Sequence, residues 1–180
     1  RNARCIYPYL SGEELNSGPD QSPQRFVINL NSLTLSEAKA YPDLLSIIEQ
    51  RVRPDRDKLR TTPVNLKLKE YWWRYWAERP SIKAAMATMK RCLVQAVVSK
   101  HIAMSFQPTN RIFTNMIYVF LLESWSSFSI LQARCHEAWA RLLSSTLETR
   151  IRYSASDCFE TFPFPQSDPR AVIPALEEIG

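Results

Sequence analysis

Glycine is scarce: of 180 residues, only Gly12, Gly18 and Gly180 lack a side chain. Loops that cradle a phosphate need closely spaced glycines so that backbone N–H groups can approach the anion. Three scattered glycines build neither a P-loop nor a dinucleotide-binding turn. Histidine is equally sparse, at His101 and His136, and the four cysteines, Cys5, Cys92, Cys135 and Cys158, form no CxxC pair. These residues make no zinc pattern. The neighbours Cys135 and His136 would point about 100° apart on a helix, which is not a nucleophile–base pair. The Asn/Asp-Pro-Pro-aromatic tetrapeptide used in amino-group methylation is missing as well. No apolar run reaches the roughly 18 residues of a membrane span, and no charged-then-apolar leader opens the chain. No catalytic, metal or cofactor site can therefore be assigned. The chain reads as a non-membrane binding module, with reduced thiols that suit the cytoplasm.

What is present is positive charge, unevenly spread. The formal net charge is +5. Residues 50–91 hold twelve Lys/Arg against four Asp/Glu, a surplus of eight, while the remainder carries a deficit of three. One basic third beside a mildly acidic rest suggests a polyanionic partner. A solvated basic face would give the same count.

A length of 180 residues with a 45% hydrophobic fraction suits one domain with a real core. Residues 25–30 read as a strand. Thr34-Leu-Ser-Glu37 has capping-box spacing, and the helix after it should break or restart at Pro42. Tyr41, Leu44, Leu45, Ile48 and Val52 form one apolar face, and Arg53-Pro54 should end that helix. Residues 54–63 read as a basic connection. Pro80 can open another helix through residue 89. Residues 91–98, 102–107 and 112–122 read as strands of a meander, with a turn at 108–110. Residues 126–145 read as one regular helix burying Phe128, Leu131, Cys135, Trp139 and Leu142. Residues 166–180 read as a tail or short helix. Strands interleaved with helices imply a single-domain α+β fold with an antiparallel or mixed sheet and several packed helices.

The carboxy-terminal third carries the most specific pattern. Phe128-Ser-Ile-Leu-Gln-Ala-Arg-Cys-His-Glu-Ala-Trp-Ala-Arg141 is followed by Leu147 and then by Ile151-Arg-Tyr-Ser-Ala-Ser-Asp-Cys-Phe-Glu-Thr-Phe-Pro-Phe-Pro165. Upstream stand Ile6-Tyr-Pro-Tyr-Leu-Ser-Gly-Glu-Glu-Leu15, residues 25–29, Tyr41-Pro42, Arg53-Pro-Asp-Arg56, Trp72-Trp73, Arg79-Pro80 and Val98-Ser-Lys100. In this order and combination the chain resembles the target recognition domains of TaqI-like and MmeI-like N6-adenine DNA methyltransferases and type II restriction–modification enzymes. The resemblance covers about residues 2–165. It implies a recognition domain over residues 1–165 that reads double-stranded DNA without catalysing anything itself. It also implies a bacterial, cytoplasmic parent protein whose methyltransferase domain uses S-adenosylmethionine, with or without an endonuclease.

The resemblance places base-reading side chains just after Val98-Ser99, at Lys100, His101, Ile102, Ala103 and Met104. Lysine can donate to the guanine O6/N7 edge, histidine can donate or accept, and Ile or Met can touch a thymine methyl. Strand alternation would put Lys100, Ile102 and Met104 on one face, and His101 and Ala103 on the other. An ordinary strand edge with a solvated lysine is the plainer alternative. Arg51, Arg53, Arg56, Lys58, Arg60, Lys67, Lys69, Arg74 and Arg79 are candidate phosphate contacts, and Lys83, Lys90 and Arg91 could extend the stripe. Tyr71-Trp-Trp-Arg-Tyr-Trp76 could stack on unpaired bases but reads better as core. Phe159, Phe162 and Phe164 read as structural plugs. Two other functions fit the residues: a protein-interaction module and a single-strand nucleic-acid binder.

Overall fold

The computed structural model describes residues 1–75, 79–147 and 149–180. Trp76 of the aromatic run lies outside the described residues, as does the side chain of Leu147. In chain order the elements are β1 (Ile6–Leu10), α1 (Gly12–Ser17), β2 (Arg25–Ile28), α2 (Leu35–Ala38), α3 (Pro42–Arg51), α4 (Arg53–Asp57), α5 (Pro63–Glu70) and α6 (Pro80–Ala87). There follow β3 (Arg91–Ala96), β4 (Val98–Ser99), β5 (Ser105–Pro108), β6 (Ile112–Phe113), β7 (Ile117–Phe120), α7 (Trp125–Gln132), α8 (Arg134–Leu143), β8 (Ser145–Leu147), β9 (Arg150–Arg152) and α9 (Pro174–Ile179). Short, mostly antiparallel sheets with packed helices make the α+β architecture expected from the sequence. Contacts divide the chain into two compact units, Arg1–Pro8 with Phe26–Pro80, and Tyr9–Arg25 with Ser81–Gly180.

The first unit is largely helical. Thr34 and Glu37 form the expected capping box at α2, each side chain bonding the other residue's backbone N–H. Leu44 and Ile48 bury the apolar face of α3 in a cluster with Leu30, Ala38, Trp72 and Trp73. The stretch expected as a bare connection contains α4 and leads into α5, where Thr62 caps the helix and Pro63 fills its first position. Both Trp72 and Trp73 are only 8% exposed, so they are core and offer no stacking platform. Residues 71–75 are clasped to the loop before α2: Trp73 Nε1 donates to Leu33 O at 3.0 Å, and the Tyr75 N–H donates to Asn31 Oδ1 at 2.7 Å.

The second unit holds the sheets built around β3 and β9. β3 is central, with β5 and β7 antiparallel on either side, so the three strands are not a simple meander. The expected strand over 112–122 is split. β6 pairs in parallel with β1 through Tyr9 and Leu10, a turn at Thr114 reverses the chain, and β7 then joins β3. A further sheet has the order β4-β9-β8.

The single helix expected over 126–145 is two. Ala133 is extended and separates α7 from α8. The break resets the helical phase: His136 and Ala140 face the core, Cys135 is exposed, and Leu142 is 77% exposed. His136 compensates for the break. Its Nδ1–H donates to Leu131 O at 2.7 Å, taking a carbonyl stranded at the end of α7, and its Nε2 accepts from the Tyr153 hydroxyl at 3.1 Å. Phe162 is buried against His136 and Phe164, and Phe159 and Phe164 pack on the main core cluster, in keeping with a structural role. The chain's last segment forms α9, whose Glu177 carboxylate accepts from the Trp125 and Ser126 N–H groups. Ser124 takes the Ser127 N–H, so the N–H groups of the first three residues of α7 are engaged.

Candidate nucleic-acid interface

β4 ends at Ser99, and the chain bends outward at Lys100 and His101 before returning to the sheet as β5. The returning residues 102–104 have strand-like composition but no strand partner. Two glutamine side chains take that place. Gln95, fully buried on β3, accepts from the Ala103 N–H at 3.1 Å and donates to Ser99 Oγ at 3.2 Å. Ser99 Oγ in turn donates to His101 O at 2.6 Å. From the end of α7, Gln132 accepts from the Met104 N–H at 2.9 Å and donates to Ile102 O at 3.2 Å. Four backbone groups of this loop, the Ala103 and Met104 N–H groups and the His101 and Ile102 carbonyls, are therefore tied to side chains, which makes the loop a braced platform.

Lys100, His101 and Ala103 are exposed on that platform. Ile102 and Met104 are not: they are 5% and 6% exposed, packed in the main core with Leu93, Leu131 and Tyr153. The expectation that Ile102 and Met104 read bases is corrected, because neither can meet a ligand without unpacking the domain. The expected shared face of Lys100 with Ile102 and Met104 fails for a related reason. The bend at 100–101 interrupts the alternation that a regular strand would impose.

The candidate phosphate contacts divide by their local partners. Arg74 points inward: its Nε and Nη2 donate to Leu33 O at 3.2 and 2.8 Å, and its guanidinium lies over Tyr71 and Trp73. Arg56 donates to the carbonyls of Leu68 and Tyr71 at the end of α5, and burial lowers its pKa. These bonds engage both half-buried guanidinium groups within the fold, which disfavours the phosphate role expected for them. Arg53 pairs with Glu49 at 2.6 Å and lies over the Trp72 ring, while Lys58 pairs with Asp55 at 3.5 Å. Both pairs are solvent-exposed, so they contribute little and can exchange for a phosphate. Arg51, Arg60, Lys67 and Arg79 are exposed, and Lys69 is half-buried. Of the possible extensions, Lys83 and Lys90 are exposed. Arg91 instead donates to Glu123 O and stacks 3.8 Å above the Phe106 ring centroid.

The model of the family described as "MmeI, target recognition domain" matches residues 1–166. The chain belongs to the MmeI target recognition domain family. A solved structure of the type IIL restriction–modification enzyme MmeI in complex with DNA superposes on this recognition domain with a TM-score of 0.71 at 23% identity. That alignment covers 93% of this chain and 21% of the other, and the likeness is one of fold. DNA methyltransferase A of Bacillus subtilis (strain 168) is 34% identical over 70 residues, 39% of this chain and 8% of that protein. The recognition domain thus spans about a fifth or less of each of these relatives.

Sequence reasoning missed both glutamines of the platform and the cationic outer face of β9. Arg150-Ile-Arg152-Tyr153 does show the strand alternation, with Ile151 and Tyr153 buried and both arginines exposed. Gln132 carried no signal, since its partners lie about 30 residues away, and Gln95 bonds Ser99 and Ala103 across a bend that no local motif marks.

Among the described residues no helix is long and apolar enough to cross a membrane.

Proposed function

We propose that this recognition domain reads double-stranded DNA by holding Lys100 and His101 against the base edges of one groove. The observation that carries this reading is the platform itself, two side chains able to bond to bases on a loop fixed by Gln95, Ser99 and Gln132. Base readout needs donors held in one geometry, because a mobile lysine discriminates poorly between acceptors. Lys100 is assigned to a guanine O6/N7 edge and His101 to a neighbouring base. Arg51, Arg53, Lys58, Arg60, Lys67, Lys69 and Arg79 supply phosphate contacts, which set register and affinity without reading sequence.

In this reading the chain works inside a longer bacterial, cytoplasmic protein, as the partner of an N6-adenine methyltransferase domain in a restriction–modification system. S-adenosylmethionine is bound by that catalytic domain. The three glycines here are too far apart to form a cofactor loop.

Salt titration of binding tests the reading, on this chain and on the longer polypeptide. With about six phosphates contacted, log K against log salt falls with a slope near −5 on duplex DNA. No duplex binding, or a flat response, contradicts it. A preference for single strands would favour base stacking instead, which the burial of Trp72 and Trp73 argues against.

A further inference from the structure

Arg150 and Arg152 present charge on β9 that the basic third of the sequence does not include. β9 pairs with β4 so that Arg152 stands opposite Val98, and Ile151 opposite Ser99. One step further along each strand come Arg150 and Lys100. Directly opposed residues share a face of the sheet. Ile151 and Ser99 point into the core, so Arg152, Arg150 and Val98 lie on the outer face that leads to the reading loop.

That face opens into a cleft of about 540 Å³ whose walls include Arg150, Val98, Arg25, Asn16, Asn115 and Glu13. Close packing of the backbone shapes it. Asn16 Nδ2 donates to Val98 O at 3.0 Å, and the Val97 N–H donates to Met116 O at 2.9 Å. A Cβ on Gly12 would stand 3.0 Å from Met116 O, so a larger residue there would push α1 and the β6–β7 turn apart by a few tenths of an ångström. Glu14 is engaged away from the opening. Burial raises its pKa, but hydrogen bonds from Ser11, Gln24 and Arg25 outweigh burial and lower it to about 2. Arg25 is paired with Glu14 at 3.5 Å, so on the walls Arg150 stands against Glu13, and the sheet face beside them adds Arg152 and Lys100.

We propose that Arg150 and Arg152 seat neighbouring phosphates of one DNA strand, directly beside the base pair met by Lys100 and His101. Two residues on one face of a strand are about 6.8 Å apart, a separation that suits successive phosphates along a backbone. Guanidinium groups bond two phosphate oxygens at once. The inference rests on the duplex-reading assignment above and adds the contact that fixes the reading loop's register.

The test compares salt dependence in four proteins: wild type, the double variant Arg150→Gln/Arg152→Gln, the double variant Arg150→Lys/Arg152→Lys, and Lys100→Gln. Each phosphate contact contributes about 0.9 to the slope of log K against log salt. The glutamine double variant should lose nearly two from that slope. Between 50 and 200 mM salt its affinity should then fall about tenfold less than that of wild type. Its ranking of duplex sequences should be unchanged, and the lysine double variant should recover most of the slope. Thermal melting checks that each variant folds. An unchanged slope in the glutamine variant, with steep wild-type binding, overturns this inference and leaves the duplex-reading assignment standing. A reordered sequence ranking in that variant also overturns it, because these arginines would then touch bases. Wild type without salt-dependent duplex binding removes both.

Discussion

The side-chain amide of Gln95 spans the two ends of the loop that carries Lys100, with Nε2 3.2 Å from Ser99 Oγ and Oε1 3.1 Å from the Ala103 nitrogen. A buried amide so placed does the work of a missing strand. Replacing it with leucine keeps the volume but leaves the Ala103 N–H and the Ser99 hydroxyl short of partners, at a cost of about 1–3 kcal/mol. For a chain of this size that is a melting temperature lower by roughly 2–4 °C per kcal/mol. Gln132 is exposed, so Gln132→Ala should lose less stability and yet bind DNA with weaker discrimination between sites. Melting curves paired with a panel of single-base-pair site variants check both. Undiminished discrimination in Gln132→Ala would show that the loop keeps its shape without the clamp.

Ile102 separates packing from readout. Truncation to alanine removes a core side chain and should cost about 2–5 kcal/mol. The folded fraction should rank DNA sites as wild type does. Chemical denaturation and site ranking measure the two effects separately. A changed preference at one base position, without loss of stability, would return Ile102 to the reading surface.

Arg74 and Arg60 should behave oppositely despite equal charge. Arg74 bonds Leu33 O twice from within the fold, so Arg74→Gln should destabilise by about 1–3 kcal/mol and leave the salt slope of DNA binding unaltered. Arg60 is exposed, and Arg60→Gln should lower the slope by about 0.9 with no change in melting temperature. The same two measurements on both variants decide the matter.

His136 sets a pH dependence of stability. Burial lowers its imidazole below the ordinary 6.5, outweighing the raising effect of its bond to Leu131 O. Above about pH 6.5 the ring is neutral in both folded and unfolded chains, and its titration contributes nothing. As the pH falls below that value the unfolded chain gains a proton that the buried ring resists, so stability declines toward the depressed folded pKa. Urea midpoints at about pH 7.5 and 5.5 should show this decline. His136→Gln should flatten its share of the slope, at a lower stability throughout.

Signals that are local in the chain were legible in the sequence. The Thr34–Glu37 capping box, the prolines opening α3 and α6, and the apolar face of α3 each depend on residues within a turn or two. Ser11–Glu14 has the same capping-box spacing and forms one too. The break at Ala133 was not legible. Alanine is the best helix former, and nothing around it signals an end. What accompanies the break is a histidine side chain that takes up a carbonyl of the helix before it and is itself held by Tyr153 from β9's end. The same holds at the reading loop. Residues 102–104 have strand-like character, but the groups that bond their backbone are the side chains of Gln95, at Ala103, and Gln132, at Ile102 and Met104, so β5 begins only at Ser105. Charge counting located a basic third of the chain. It could not show that Arg56 and Arg74 turn inward, or that Arg150 and Arg152, in a segment rich in core aromatics, face out.

The account depends most on Lys100. The direct test is the affinity of wild type and Lys100→Gln for a set of duplexes in which each base pair of the recognition site is changed in turn. The substitution should alter tolerance at one position, by about 1–3 kcal/mol, and leave the others as they were. A uniform loss of affinity across all sequences would make Lys100 a phosphate contact and contradict the assignment.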